Sequence, residues 1–98
     1  MSDSNEAKKP WHHHSYGGMS ESSAKASWEA SRDRTERWIA AGRPAPPPVG
    51  DITGYQPTSS TIRAFWLVAS FNDPDRLGAW LYDHPLEAPA LIKSFEVV

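Results

Sequence analysis

Residues 61–95 hold most of the large aliphatic side chains, and one tetrapeptide within them leaves little choice of structure: Asn72-Asp73-Pro74-Asp75. Asp73 is suited to cap a helix, because its carboxylate accepts from the orphan N–H groups of a first turn. Pro74 then falls at the first helical position, where its missing N–H costs nothing. Asp75 adds negative charge at the positive end of the helix dipole. A helix is therefore predicted from Pro74. Leu77, Trp80, Leu81 and His84 recur at i, i+3, i+4 and i+7 and define one face. Gly78 weakens this helix by about 1 kcal/mol relative to alanine, and Pro85 ends it.

A further short helix is predicted from Glu87 or Ala88, with Ala88, Leu91, Ile92 and Phe95 on its apolar side and Pro89 in its first turn. Residues 60–71 read two ways. As a helix capped by Ser59 or Ser60, they turn Ile62, Phe65, Trp66 and Ala69 inward. As a strand, Phe65, Leu67, Ala69 and Phe71 share one face and Ile62, Ala64, Trp66 and Val68 the other. The helix is preferred, because no partner strand is in sight and a lone strand leaves its backbone unpaired. The expected fold is all-α: three short helices at about 60–71, 74–83 and 87–95, preceded by an amphipathic helix.

That preceding helix is predicted over 22–41. Ser20-Glu21-Ser22-Ser23 offers caps, and Gly42 followed by Arg43-Pro44 is a stop. Trp28 and Ile39 lie about three turns apart on one face, with Ala24, Ser31, Thr35 and Trp38 filling it out. Arg32–Glu36 and Asp33–Arg37 are i, i+4 ion pairs on the other side. The apolar stripe is thin, so the helix can dock on something but cannot make a core alone. The chain divides into a flexible segment over 1–21 with a histidine triplet, a docking helix over 22–42, a Pro/Gly-rich linker over 43–59 and a compact helical module over 60–98.

The compact part is near the ~40 residues below which domains usually need a staple or a partner subunit. The 98 residues include no cysteine, which removes disulfides and thiolate metal sites. Oligomerisation or docking on a partner protein is the remaining common route. Net charge is −2, and residues 51–98 carry three Lys/Arg against six Asp/Glu, which argues against nucleic-acid binding by that part. A helix-turn-helix around Asp83–Glu87 is disfavoured, since Pro89 and the single cation Lys93 would make a poor recognition helix. No apolar run approaches the ~20 residues of a membrane span, and the first eighteen residues contain no apolar core of a signal peptide. A cytoplasmic location is expected.

Candidate chemistry is sparse. His12, His13 and His14 are potential zinc, nickel or copper ligands, but a closed site needs about four ligands and only His84 remains as another imidazole. Asp73, Asp75, Asp83, His84 and Glu87 are acid–base candidates better explained by helix ends. No nucleophile elbow, phosphate loop or metalloprotease motif is present. Trp11, Trp28 and Trp38, with Ile39, lie outside the compact module and are candidate partner contacts, since tryptophan buries a large rigid area. Their alternative is packing on the chain's own module. The expectation is a non-enzymatic protein-interaction module without a cofactor, an accessory subunit or inhibitor docking on a larger assembly. A metal-binding protein using His12–His14, and a small component of a phage or mobile element, are the alternatives.

Overall fold

The computed structural model describes residues 9–96. Two single 3-10 turns, Pro10–His12 and His14–Tyr16, lead into four helices: α1 Glu21–Ala40, α2 Ser59–Ala69, α3 Pro74–Asp83 and α4 Glu87–Glu96. The described residues contain no strand. The all-α architecture is thus as expected, and residues 60–69 are helical rather than extended. The tail expected over residues 1–9 falls, apart from Lys9, outside the described residues.

Local chemistry accounts for most helix ends. Asp73 accepts from the backbone N–H of Asp75 at 3.0 Å and of Arg76 at 3.4 Å, with Pro74 opening α3. Ser20 caps α1 by accepting from Ser23 N–H at 3.2 Å. The cap of α2 is Thr58, which accepts from Thr61 N–H at 3.2 Å, and not Ser59 or Ser60. All three serine/threonine positions offer a hydroxyl, so composition could not choose among them. Beyond α1, Gly42 turns left-handed at φ 94° and the Arg43 N–H returns to the Trp38 carbonyl at 3.0 Å. Arg43 itself stands at φ 53° and donates to both Asp75 carboxylate oxygens, at 3.1 and 3.3 Å, tying the end of α1 to the start of α3. A second tie, Arg34 to Asp83 at 3.1 Å, joins the same two helices further along. On the outer face of α1, Arg32 reaches Glu36 at 4.0 Å, whereas Asp33 turns to its neighbour Arg32 at 3.5 Å instead of to Arg37.

The core is in two parts that meet on α2. One contains Phe65, Val68, Trp80 and Leu91, with Leu77 and Leu81 packed against it. The other contains Tyr16, Ala24 and Leu67, with Trp11, Met19, Trp28 and Phe71 around it. The expected inward stripe of α2 is therefore corrected. Phe65, Leu67 and Val68 are buried, while Ile62 and Trp66 are 43% and 37% exposed. The reason is that α2 is covered on two sides, by α3 and α4 on one and by the N-terminal turns on the other. A single 3.6-residue stripe describes a helix covered on one side only.

Helix α1 lies along α3, the most extensive contact between elements of the fold. Ala24, Ser31 and Thr35 of α1 are buried there or against the N-terminal turns, in line with the predicted face. The turns are held by Arg63 of α2, whose guanidinium donates to the Ser15 and Gly17 carbonyls, each at 3.3 Å.

Candidate functional site

The sequence-predicted residues fall in three places. The histidine triplet is built into the N-terminal turns. His12 Nε2 lies 2.9 and 3.1 Å from the Glu21 carboxylate oxygens, and its Nδ1 accepts from the Lys9 N–H at 3.2 Å. Glu21 also accepts from the Trp11 indole N–H, and that bond, with a smaller part from His12, holds its carboxyl below the usual carboxylate range. His13 stacks on Phe71 with ring centroids 4.2 Å apart, and its Nδ1 meets the Ser15 hydroxyl at 2.7 Å. Burial pushes the His13 imidazole down, with repulsion from His14 and Arg76 adding to it. His14 lies beside His13, ring centroids 4.1 Å apart. Among the described residues no three His, Cys, Asp or Glu side chains converge as a metal would require.

The tryptophans named as partner contacts touch the chain itself. The Trp11 and Trp28 rings lie 5.8 Å apart, each half-buried, with Lys25 over one and Arg32 over the other. The Trp38 ring lies against α3 at Gly78, and its indole N–H donates to the Pro44 carbonyl at 2.8 Å. Ile39 is half-buried beside it. Each keeps some surface, but none projects freely.

The acid–base candidates hold helix ends. Asp73 caps α3, Asp75 pairs with Arg43 and Asp83 pairs with Arg34. His84 ends α3 with its ring stacked on Trp80 at 4.0 Å, and its Nδ1–H donates to the Trp80 carbonyl at 2.8 Å.

A further concavity lies elsewhere. Ile62 at the start of α2, Ala90 and Lys93 of α4, and Ile52, Tyr55 and Pro57 of the preceding loop line an open groove of about 660 Å³. Ile62 on its wall is exposed, as are Trp66, one turn beyond Ile62, and Ile92, which precedes Lys93. The Arg63 guanidinium lies 5.4 Å from the Trp66 ring. The loop wall is preorganised. Asp51 accepts from the Thr53 N–H at 2.9 Å, the Tyr55 N–H returns to the Ile52 carbonyl at 2.9 Å, and Gly54 between them takes φ 85°. Burial, with the Glu87 carboxylate beside it, pushes the Tyr55 phenol up, so it stays protonated and available as a donor. The groove offers apolar surface, the Tyr55 phenol, the Lys93 ammonium group, the Thr53 hydroxyl and the Gln56 amide. It presents no nucleophile with an adjacent base.

The Pro/Gly-rich composition of residues 43–59 gives no sign that Ile52 and Tyr55 face Ile62 across a groove. Ile62 and Ile92 had been assigned inward on stripe arguments. The available signal was their excess: α2 carries more apolar residues than one buried face can use. No helix of the described residues is long and apolar enough to cross a membrane. No protein-family model, curated protein or solved structure matches the chain.

Proposed function

We propose that the chain is a non-enzymatic protein-interaction module, an accessory subunit or inhibitor that docks on a larger assembly. The observation that carries this is the exposure of Ile62, which lines the groove, together with that of Trp66 and Ile92 on the same two helices. Monomeric proteins seldom gather such residues without a use for them, and an aromatic next to a concave apolar floor is the usual anatomy of an interface hot spot. Four of the acid–base candidates supply complementary support, since Asp73, Asp75, Asp83 and His84 are engaged at helix ends. A partner would insert an apolar side chain between Ile62 and Ile92, with Lys93 and the Tyr55 hydroxyl fixing its polar flank. Trp11, Trp28, Trp38 and Ile39 would add the surface that their own packing leaves uncovered.

Affinity capture from the native source, comparing the wild-type chain with Ile62→Asp and Ile92→Asp, tests the reading. Both sites are exposed, so both variants should keep the wild-type thermal transition. A stoichiometric partner retained by the wild type and lost by both variants is the expected result. A partner held equally by all three chains would overturn the groove as the docking face. A wild-type chain that captures nothing and sediments as a monomer would overturn the module reading itself. The double variant Trp28→Ala/Trp38→Ala is a poorer probe, because those rings also pack on the chain.

A further inference from the structure

A smaller cleft between α1, α2 and α3 has a different chemistry. It encloses about 110 Å³ and is lined by Tyr16, Ser31, Arg34 and Arg76 over an apolar floor that includes Leu67 and Trp80. Arg76 is only 8% exposed. Its Nη2 reaches the Tyr16 hydroxyl at 3.4 Å, a long bond, and its guanidinium carbon sits 3.8 Å from the Phe71 ring centroid. Its Nε, on the same edge as Nη2, is buried and without a hydrogen-bond partner. Ser31, 6% exposed, has a hydroxyl that is also buried and unpartnered.

Among the described residues, no acidic side chain lines this cleft. Asp73 is close in sequence but accepts from the Arg76 backbone N–H, not from its side chain. Arg34, the other cation on the wall, is paired outward with Asp83. His13 lies near enough to feel the Arg76 charge and is pushed toward its neutral form by it, together with burial and His14. The surroundings thus hold two guanidinium groups, hydroxyls and aromatic rings, and the charge balance is open on the side of an anion. A guanidinium is a permanent cation, and taking one out of water without a counter-charge is far costlier than an aromatic contact returns. Two buried polar groups with no partner in one cleft call for a ligand or ordered water to complete them.

We propose that the cleft binds a small oxyanion, held by the Nε–Nη2 edge of Arg76 with the Ser31 and Tyr16 hydroxyls as further donors. That edge presents two parallel N–H groups, the geometry that matches the paired oxygens of a phosphate or carboxylate. The volume limits the occupant. It exceeds the ~10–15 Å³ needed to admit one water and falls well short of the ~300 Å³ of the smallest usual drug-sized pockets. The ligand is a phosphate- or carboxylate-sized group and not a nucleotide or a peptide segment. This assignment is independent of the groove at Ile62 and Ile92.

The test titrates the full chain with sodium phosphate, and separately with sodium acetate, at an ionic strength held constant with sodium chloride. Two readouts are followed: the thermal midpoint, and the ¹H–¹⁵N signal of the Arg76 Nε–H. The expected result is a saturable rise in midpoint with a matching shift of the Arg76 signal, both absent in Arg76→Met. Saturation with phosphate alone identifies a phosphate-sized ligand, and an equal response to acetate identifies a carboxylate. Should Arg76→Met fail to fold, Ser31→Ala keeps the guanidinium and should weaken binding by roughly 3–10-fold. A stationary Arg76 signal, a response unchanged in either variant, or chloride acting as well as phosphate would overturn the proposal and leave the cleft to water or to unspecific screening.

Discussion

The Trp38 ring occupies the place where a side chain at Gly78 would stand. A Cβ built on Gly78 would meet Cη2 of Trp38 at 2.5 Å and Cζ2 at 2.9 Å. The glycine that weakens α3 as an isolated helix is therefore what lets α1 lie close to it. Gly78→Ala gains about 1 kcal/mol of helix propensity but overfills the contact, at a cost of about 1–3 kcal/mol. A net loss of about 1 kcal/mol is expected in urea unfolding, against the gain that propensity alone predicts. Adding Trp38→Leu to Gly78→Ala should recover part of it, because the smaller side chain vacates the collision. A stabilised single variant would show that the ring and α3 are not in contact in solution.

Adjacent residues of α4 should behave oppositely. Leu91 is 1% exposed within the core of Phe65, Val68 and Trp80, and Ile92 is 40% exposed. Leu91→Ala should cost about 2–5 kcal/mol, and Ile92→Ala within about 0.5 kcal/mol of nothing. Chemical denaturation of the two variants measures both. Equal costs would place the face of α4 wrongly.

Stability should decline as pH falls below the ordinary histidine value of 6.5. His13 is held below it by burial first, then by His14 and Arg76. The unfolded chain therefore takes up that proton before the folded one does. The contribution is whole above 6.5 and is lost as pH falls through the lowered folded value. At still lower pH, Glu21 and Asp75 act in the same sense. Hydrogen bonds from Trp11 and Arg43 hold them below 4.5 and 3.8 respectively, so what they contribute above those values is lost on acidification. Midpoints measured between about pH 8 and pH 5 isolate the histidine part. His13→Gln should flatten the slope in that interval, and an unchanged slope would assign it to another group.

A fragment of residues 58–98 should not unfold cooperatively. It keeps Phe65, Val68, Trp80 and Leu91 but exposes Leu67, Arg76 and Gly78, which Tyr16, Ala24 and Trp38 cover in the full chain. A sharp transition by circular dichroism in this fragment would show that the C-terminal helices are sufficient alone.

How much of this could be read from the sequence follows from the range of each determinant. Asp73 and Pro74 act within one turn, so α3 was legible to the residue, as was the place of His84 at its end, though not its stacking on Trp80. The burial of Trp80 followed from periodicity. The exposure of Ile62 and Trp66 did not, because it depends on residues 14–19 returning to cover the opposite side of α2. Those residues carry no periodic signal, only one histidine, one tyrosine and one methionine around a serine and a glycine pair. The burial of Arg76 had a local signal that stripe counting passed over: it lies one turn before Trp80, on the same face. The groove needed the placement of the loop from Ile52 to Pro57, which no pattern within the helices encodes.

The bonds from Arg63 to the Ser15 and Gly17 carbonyls have a kinetic meaning. They span 48 and 46 residues, whereas Phe65 and Trp80, which join α2 to α3 with ring centroids 5.3 Å apart, are separated by only 15. Local pairs form first, because closing a long loop costs entropy before any contact returns it. The N-terminal turns should then dock after the rate-limiting barrier, as a late latch over a preformed hairpin of helices. Substitutions in that latch would leave the refolding rate nearly untouched and spend their effect on unfolding. Unfolding rates should thus respond to substitutions in residues 9–19, and refolding rates to substitutions in α2, α3 and α4.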